Sequence, residues 1–276
     1  MSAILCHYLH GKRVLQSHME QIADRDAFLL GTQGPAVFAY SLLFGKEHSR
    51  EAQTFCHQIC STPIEILLTF CEENRNSEDT MFSSYCLGVL CYGLLEQGMA
   101  PFVSYGAEMI HRLEPSGTME DYKNQIESAL DIILLRYETG QLPTEVNLKT
   151  TVPVSDAICN ASSQFYQLFA EKYCNCQTNE KMIASLLLDG IKGIGKLNDR
   201  SMLKRQFIKR REKRHKQSGG FSSLIRNISE DTDYDYANVC QNEWQWPLET
   251  GTIRTETFFD LFENAASKTK QMLSAL

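Results

Sequence analysis

The sequence predicts an all-α fold, a multi-helix bundle, and three observations carry that prediction. Apolar residues recur at helical spacing along nearly the whole chain, alternating strand patterns joined by hairpin turn pairs are absent, and the breaks carry helix-stop chemistry. Phe55, Ile59, Ile66 and Phe70 form one apolar stripe, interrupted at Pro63 by a turn or kink. Ile126, Leu130, Ile133, Leu134 and Tyr137 form a second, and Phe165, Leu168, Phe169 and Tyr173 a third. Gly140 and then Pro143 end the second stripe, because glycine closes a helix in the left-handed conformation and proline cannot continue one. Glu72 to Asp79 reads as a polar loop and Glu114 to Thr118 as a turn. No fixed-period repeat is visible.

The 276 residues suit one domain spanning 1–276 and suffice for a sizeable core. Hydrophobic residues make up 43% and charged residues 22%, which excludes a disordered or fibrous chain. A net charge of -7 argues against whole-protein attraction to nucleic acid. The first residues show neither a basic n-region nor a long apolar run, so no secretory signal is expected. Thr80 to Leu95 is uncharged but shorter than the roughly 20 apolar residues a membrane span requires. It carries serines, tyrosines, cysteines and glycines and reads as a buried core helix. Ten cysteines lie mostly within apolar helical patterns, where a free thiol packs as a small hydrophobe; reduced thiols in a cytoplasm are expected. Cys174-Asn-Cys176 and His57-x-x-Cys60 look like metal half-sites, but neither has a second pair at zinc-finger spacing.

From 192 to 217 the composition changes. Eleven lysines and arginines, among them Lys209, Arg210, Arg211, Lys213 and Arg214, face only Asp199 and Glu212. Acidic Glu230, Asp231, Asp233 and Asp235 follow. One reading is a basic helix that meets an anionic partner such as a phospholipid surface or nucleic acid. The other is a solvated helix whose charge the acidic stretch balances.

Four stretches together resemble the bacterial zinc-dependent phospholipase C family. Cys6-His7-Tyr8-Leu9-His10-Gly11 is followed by Leu30-Gly31-Thr32-Gln33-Gly34-Pro35, and Gly45-Lys46-Glu47-His48 opens a helix. Gly88 to Val103 resembles the family helix in which a His-x-x-x-Asp pair precedes His-Pro. Near the C-terminus, Trp244, Pro247 and Thr257-Phe258-Phe259-Asp260-Leu261-Phe262 fit members of this length, with the stretch 238–276 packed as an extension. The resemblance implies a helical bundle with a cleft of zinc ions held by His, Asp and Glu. There a metal-activated water attacks a phospholipid phosphodiester.

Carried over residue by residue, the ligand pattern is incomplete. His7 and His48 stand at two histidine positions, Glu127 fits the acidic end of a His-x-x-x-Glu pair, and Asp131 follows one turn later. Elsewhere Ala36 replaces the Gly-Pro-Asp aspartate, Tyr92 and Glu96 stand for His-x-x-x-Asp, Ala100 replaces the histidine before Pro101, and Lys123 replaces the histidine partner of Glu127. Alanine offers no donor atom and an ammonium repels a cation. Lys123 and Glu127 are instead spaced to pair directly on one helix face.

The resemblance therefore implies a phospholipase C-like protein that is impaired or inactive, a pseudoenzyme retaining a phosphate or headgroup pocket. One alternative is a metal-dependent phosphodiester hydrolase whose single zinc sits among His7, His48, Glu96 and Glu127. Another is a cytoplasmic interaction protein that docks an anionic partner through 192–217. Zinc is expected at one ion at most, or not at all. By themselves Glu127 and Asp131 read as helix-surface acids, Glu96 as a buried or cleft carboxylate needing a partner, and Trp244 and Trp246 as packing anchors. His10, His18, His57 and His111 have no motif support and read as structural or exposed.

Overall fold

Local chemistry sets the helix boundaries in the computed structural model, which describes residues 3–44, 48–174, 176, 178–201, 203–214, 220–227, 234–246 and 251–274. Within them the chain is all-α. Its helices are α1 (Ile4–His18), α2 (Arg25–Gly31), α3 (Ala36–Phe44), α4 (Arg50–Cys60), α5 (Ile64–Asn74), α6 (Thr80–Leu113) and α7 (Met119–Thr139). A 3₁₀ turn (Leu148–Thr151) precedes α8 (Asp156–Tyr173), α9 (Glu180–Gly195), α10 (Leu203–Arg214), α11 (Gly220–Leu224) and α12 (Phe258–Ser274). Two short strands, β1 (Trp244–Gln245) and β2 (Ile253–Arg254), pair antiparallel.

Asp24, Ser49, Ser155 and Asn179 each cap a helix by accepting a backbone N–H from its first turn. Thr118 and Asp121 cap α7 reciprocally. Gly140 closes α7 at φ 69°, the conformation that favours glycine. Pro63 separates α4 from α5, as expected. The loop expected from Glu72 starts later, because α5 continues to Asn74 and its Nδ2 donates to the Phe70 carbonyl.

The chain forms two compact units, each drawn from three stretches of sequence. One comprises His10–Leu95, Leu148–Lys196 and Ala266–Leu276. Its core is aromatic: Phe38 meets Phe55 and Tyr166 edge-on, and Phe70 does the same with Phe165 and Phe169. Backbones approach closely where glycines permit. A Cβ on Gly31 would lie 2.4 Å from the Tyr85 carbonyl oxygen, and one on Gly88 2.1 Å from that of Phe28. Gly190 lets α9 seat against Val37 of α3 in the same way.

The other unit comprises Met1–Leu9, Glu96–Asn147 and Leu197–Ala265. Here α7 packs on α11 and α11 on α10. Trp244 lies edge-on to Phe102 with ring centres 5.4 Å apart, within the range such pairs favour, and its Nε1–H donates to the Glu256 carbonyl. This is the packing role expected of it.

Helix α6 is the one helix among the described residues that is long and apolar enough to cross a membrane, yet 78% of its apolar window is buried within the protein. That burial fits the core helix expected from Thr80 to Leu95.

Candidate functional site

The expected ligand positions fall into the two units as follows. His7, Glu96, Ala100, Lys123 and Glu127 belong to the unit built on α7, and Ala36, His48 and Tyr92 to the aromatic-cored unit.

In the α7 unit, three helices supply buried polar side chains: His7 from α1, Glu96 from α6, and Glu127 and Asp131 from α7. Their exposures are 2%, 7%, 1% and 0%. The reading of Glu127 and Asp131 as helix-surface acids is therefore overturned. The seven residues from Ile126 to Ile132 are all buried, more than one stripe of a helix can account for.

His7 Nε2 lies 2.8 Å from Glu96 Oε1, a contact close enough for an ion pair but not aligned as a directed hydrogen bond. Asp131 is saturated. Its Oδ1 accepts the Cys6 backbone N–H at 2.8 Å, and its Oδ2 accepts Nε and Nη2 of Arg226 at 2.9 and 2.5 Å. Arg226 is itself 7% exposed, and its Nη1 donates to the Leu224 carbonyl. Burial, followed by the nearby Asp131 charge, pushes the Cys6 thiol well above its ordinary range.

The donors of this set engage one another and an arginine. Two ligands of a tetrahedral zinc, each about 2.0–2.2 Å from the metal, stand about 3.3 Å apart or more. His7 and Glu96 are closer than that, at 2.8 Å. Asp131 already carries a guanidinium, whose charge would repel a metal. Among the described residues no three His, Cys, Asp or Glu side chains gather as a metal-ligand cluster. Lys123, one turn before the buried Glu127, is itself half-buried.

In the other unit, His48 Nε2 shares a hydrogen bond of 3.0 Å with Ser41 Oγ. Ala36 opens α3. The Tyr92 ring lies against Gly34, where a Cβ would meet Cδ1 at 2.4 Å and φ is +52°. The glycine of the Gly-Thr-Gln-Gly-Pro phrase thus makes room for the Tyr92 ring. His10, 0% exposed, is also structural: Nδ1 lies 3.3 Å from Cys91 Sγ and Nε2 3.4 Å from Thr269 Oγ.

The basic stretch is not one helix. Lys192 lies in α9, a turn follows, and α10 begins at Leu203. Asp199 receives the N–H groups of Lys204 and Arg205 at the start of α10. On the inner face of α10, Glu212 accepts from the backbone N–H and the hydroxyl of Ser222. Lys209, Arg210, Arg211, Lys213 and Arg214 are exposed, as are Leu203 at 66% and Phe207 at 69%. Asp235 accepts the N–H groups of Val239 and Cys240. Gly45, Lys46, Glu47, Lys216, Glu230, Asp231, Asp233 and Pro247 lie outside the described residues.

Sequence reasoning did not single out Arg226. The available signal was Asp131 within Ala129 to Leu135, one charge in an otherwise apolar run that demands a buried partner.

Compared with models of protein families, with curated proteins and with solved structures, the chain matches none.

Proposed function

We propose that the chain is a non-hydrolytic relative of the zinc-dependent phospholipases C, a cytoplasmic pseudoenzyme in which metal-ligand positions serve an internal polar network. The observation that supports this reading is the His7–Glu96 contact, in which two expected ligand positions, both buried, engage each other at 2.8 Å. The free state of all ten cysteines is consistent with a reducing compartment. The test is metal analysis of protein purified without chelator, together with turnover of bis-p-nitrophenyl phosphate in added zinc. Less than one equivalent of zinc and no turnover are expected. Stoichiometric zinc with turnover that His7→Ala abolishes would instead establish a single-metal hydrolase.

A second reading rests on α10. Leu203, Phe207, Arg210 and Arg214 follow helical spacing on the face turned away from Glu212, so two exposed apolar side chains stand among guanidinium groups. That combination suits an anionic phospholipid surface: the apolar side chains enter the headgroup boundary and the cations meet the phosphates. Sedimentation with phosphatidylserine vesicles, but not with phosphatidylcholine vesicles, is the expected result. It should be lost on charge reversal at Lys209, Arg210 and Arg211 and weakened by Phe207→Ser. Binding to RNA or DNA in place of vesicles would sink this reading.

A further inference from the structure

The α7 unit contains a groove of about 260 Å³ that neither reading uses. Tyr105, Tyr234 and Trp244 supply rings to its lining, Met109 adds an exposed thioether, and Asp235 and Glu243 add carboxylates. Among the described residues, no lysine, arginine or histidine lines it.

We propose that this groove binds a small, soluble organic ammonium ion. The polar ends of the rings are largely engaged elsewhere. Trp244 Nε1–H donates to the Glu256 carbonyl, Tyr234 Oη–H donates to Glu114, and the hydroxyl of Tyr236, a further lining residue, accepts from Gln125. What the half-buried rings of Tyr105 and Tyr234 offer a ligand is therefore π surface, which attracts cations, with Trp244, 3% exposed, as a buried wall. The two carboxylates add negative charge at the same place. Asp235 is held rigid by the Val239 and Cys240 N–H groups, while Glu243 is exposed. The same region already satisfies one indole in this manner, with the Arg254 guanidinium 4.4 Å from the centre of the Trp246 ring. A groove of this size lies near the lower end of small-molecule sites, about 300 Å³, which favours a compact head over a long ligand. Rings and acids without a base select positive charge, and the apolar lining selects alkyl groups on that charge over a fully hydrated ion.

The test is titration of the full chain with benzyltrimethylammonium chloride, followed by tryptophan fluorescence and calorimetry, against benzyl alcohol as the neutral comparison. The ammonium should bind at least tenfold more tightly than the alcohol. Glu243→Gln, with circular dichroism and Tm unchanged, and Tyr105→Leu, which keeps the apolar packing against Trp244 and removes the ring, should each weaken it about five- to tenfold. Equal affinity for the alcohol would overturn the proposal in favour of a merely apolar groove. Binding that neither variant alters would place the ion elsewhere and overturn it too. Binding confined to a lysine-containing peptide, with none of the free ion, would also overturn it.

Discussion

Arg226 grips a single carboxylate oxygen of Asp131 with two of its nitrogens, while the other oxygen takes the Cys6 backbone N–H. Both ionic partners are buried, so neither charge has water to fall back on.

Removing one partner should cost more than removing both. Arg226→Met should destabilise the protein by about 3–5 kcal/mol, since it strands a buried carboxylate. Adding Asp131→Asn should recover part of that loss, because an amide still accepts from Cys6 and carries no charge. Urea unfolding of the two single variants and the double variant checks this. Additive losses would mean that the pair is not coupled.

Two glycines of α6 should respond in opposite directions to the same change. Gly88→Ala sets a Cβ against the Phe28 carbonyl oxygen at 2.1 Å, where backbone cannot easily yield, and should cost about 3 kcal/mol. Gly98→Ala meets nothing nearer than Ala265 Cβ at 3.9 Å and should gain about 0.5–1 kcal/mol from helix propensity. Thermal melts of the two variants provide the comparison.

Loss of the reciprocal cap at the start of α7 should be measurable. Thr118→Ala removes the acceptor for the Asp121 N–H and should lower stability by about 1 kcal/mol. Thr118→Ser, which keeps the oxygen, should restore most of it. A serine variant no better than alanine would contradict the capping account.

Alkaline pH should destabilise the fold through its buried thiols. Burial pushes the Cys56 thiol from 9.0 up to about 12, and Cys71 and Cys91 are raised by the same cause. A raised folded-state value means that this contribution is fully present below about pH 9. It declines as pH rises towards 12, because the unfolded chain releases its thiol protons first. The urea midpoint should therefore fall between pH 9 and pH 11, and fall less steeply in Cys56→Ala. A midpoint that stays level over that range would refute this.

The helical architecture was legible because it is written locally. Pro63, Gly140 and the apolar stripes each act within a few residues, and the structure places boundaries at those signals. The polar network was not legible, for reasons particular to its members. Asp131 and Arg226 lie 95 residues apart, and no spacing rule connects them. Arg226 follows a Ser-Gly-Gly break in a short segment with no stripe of its own. Glu127 looked exposed because a stripe marks one face, whereas α7 is buried on several. The fate of the basic segment was half visible: composition marked its charge, but only tertiary packing turns Glu212 inward and leaves Phe207 outside.

The Asp131 junction also bears on the order in which the chain assembles. It ties a backbone amide at residue 6 to a carboxylate at 131 and a guanidinium at 226, one from each stretch of its unit. During synthesis the first two wait for the third. Until residue 226 emerges, α7 carries an acid that nothing neutralises on a surface destined for burial. Closure of this unit therefore depends on contacts of long sequence separation, the kind that form slowly and leave apolar surface uncovered in the meantime.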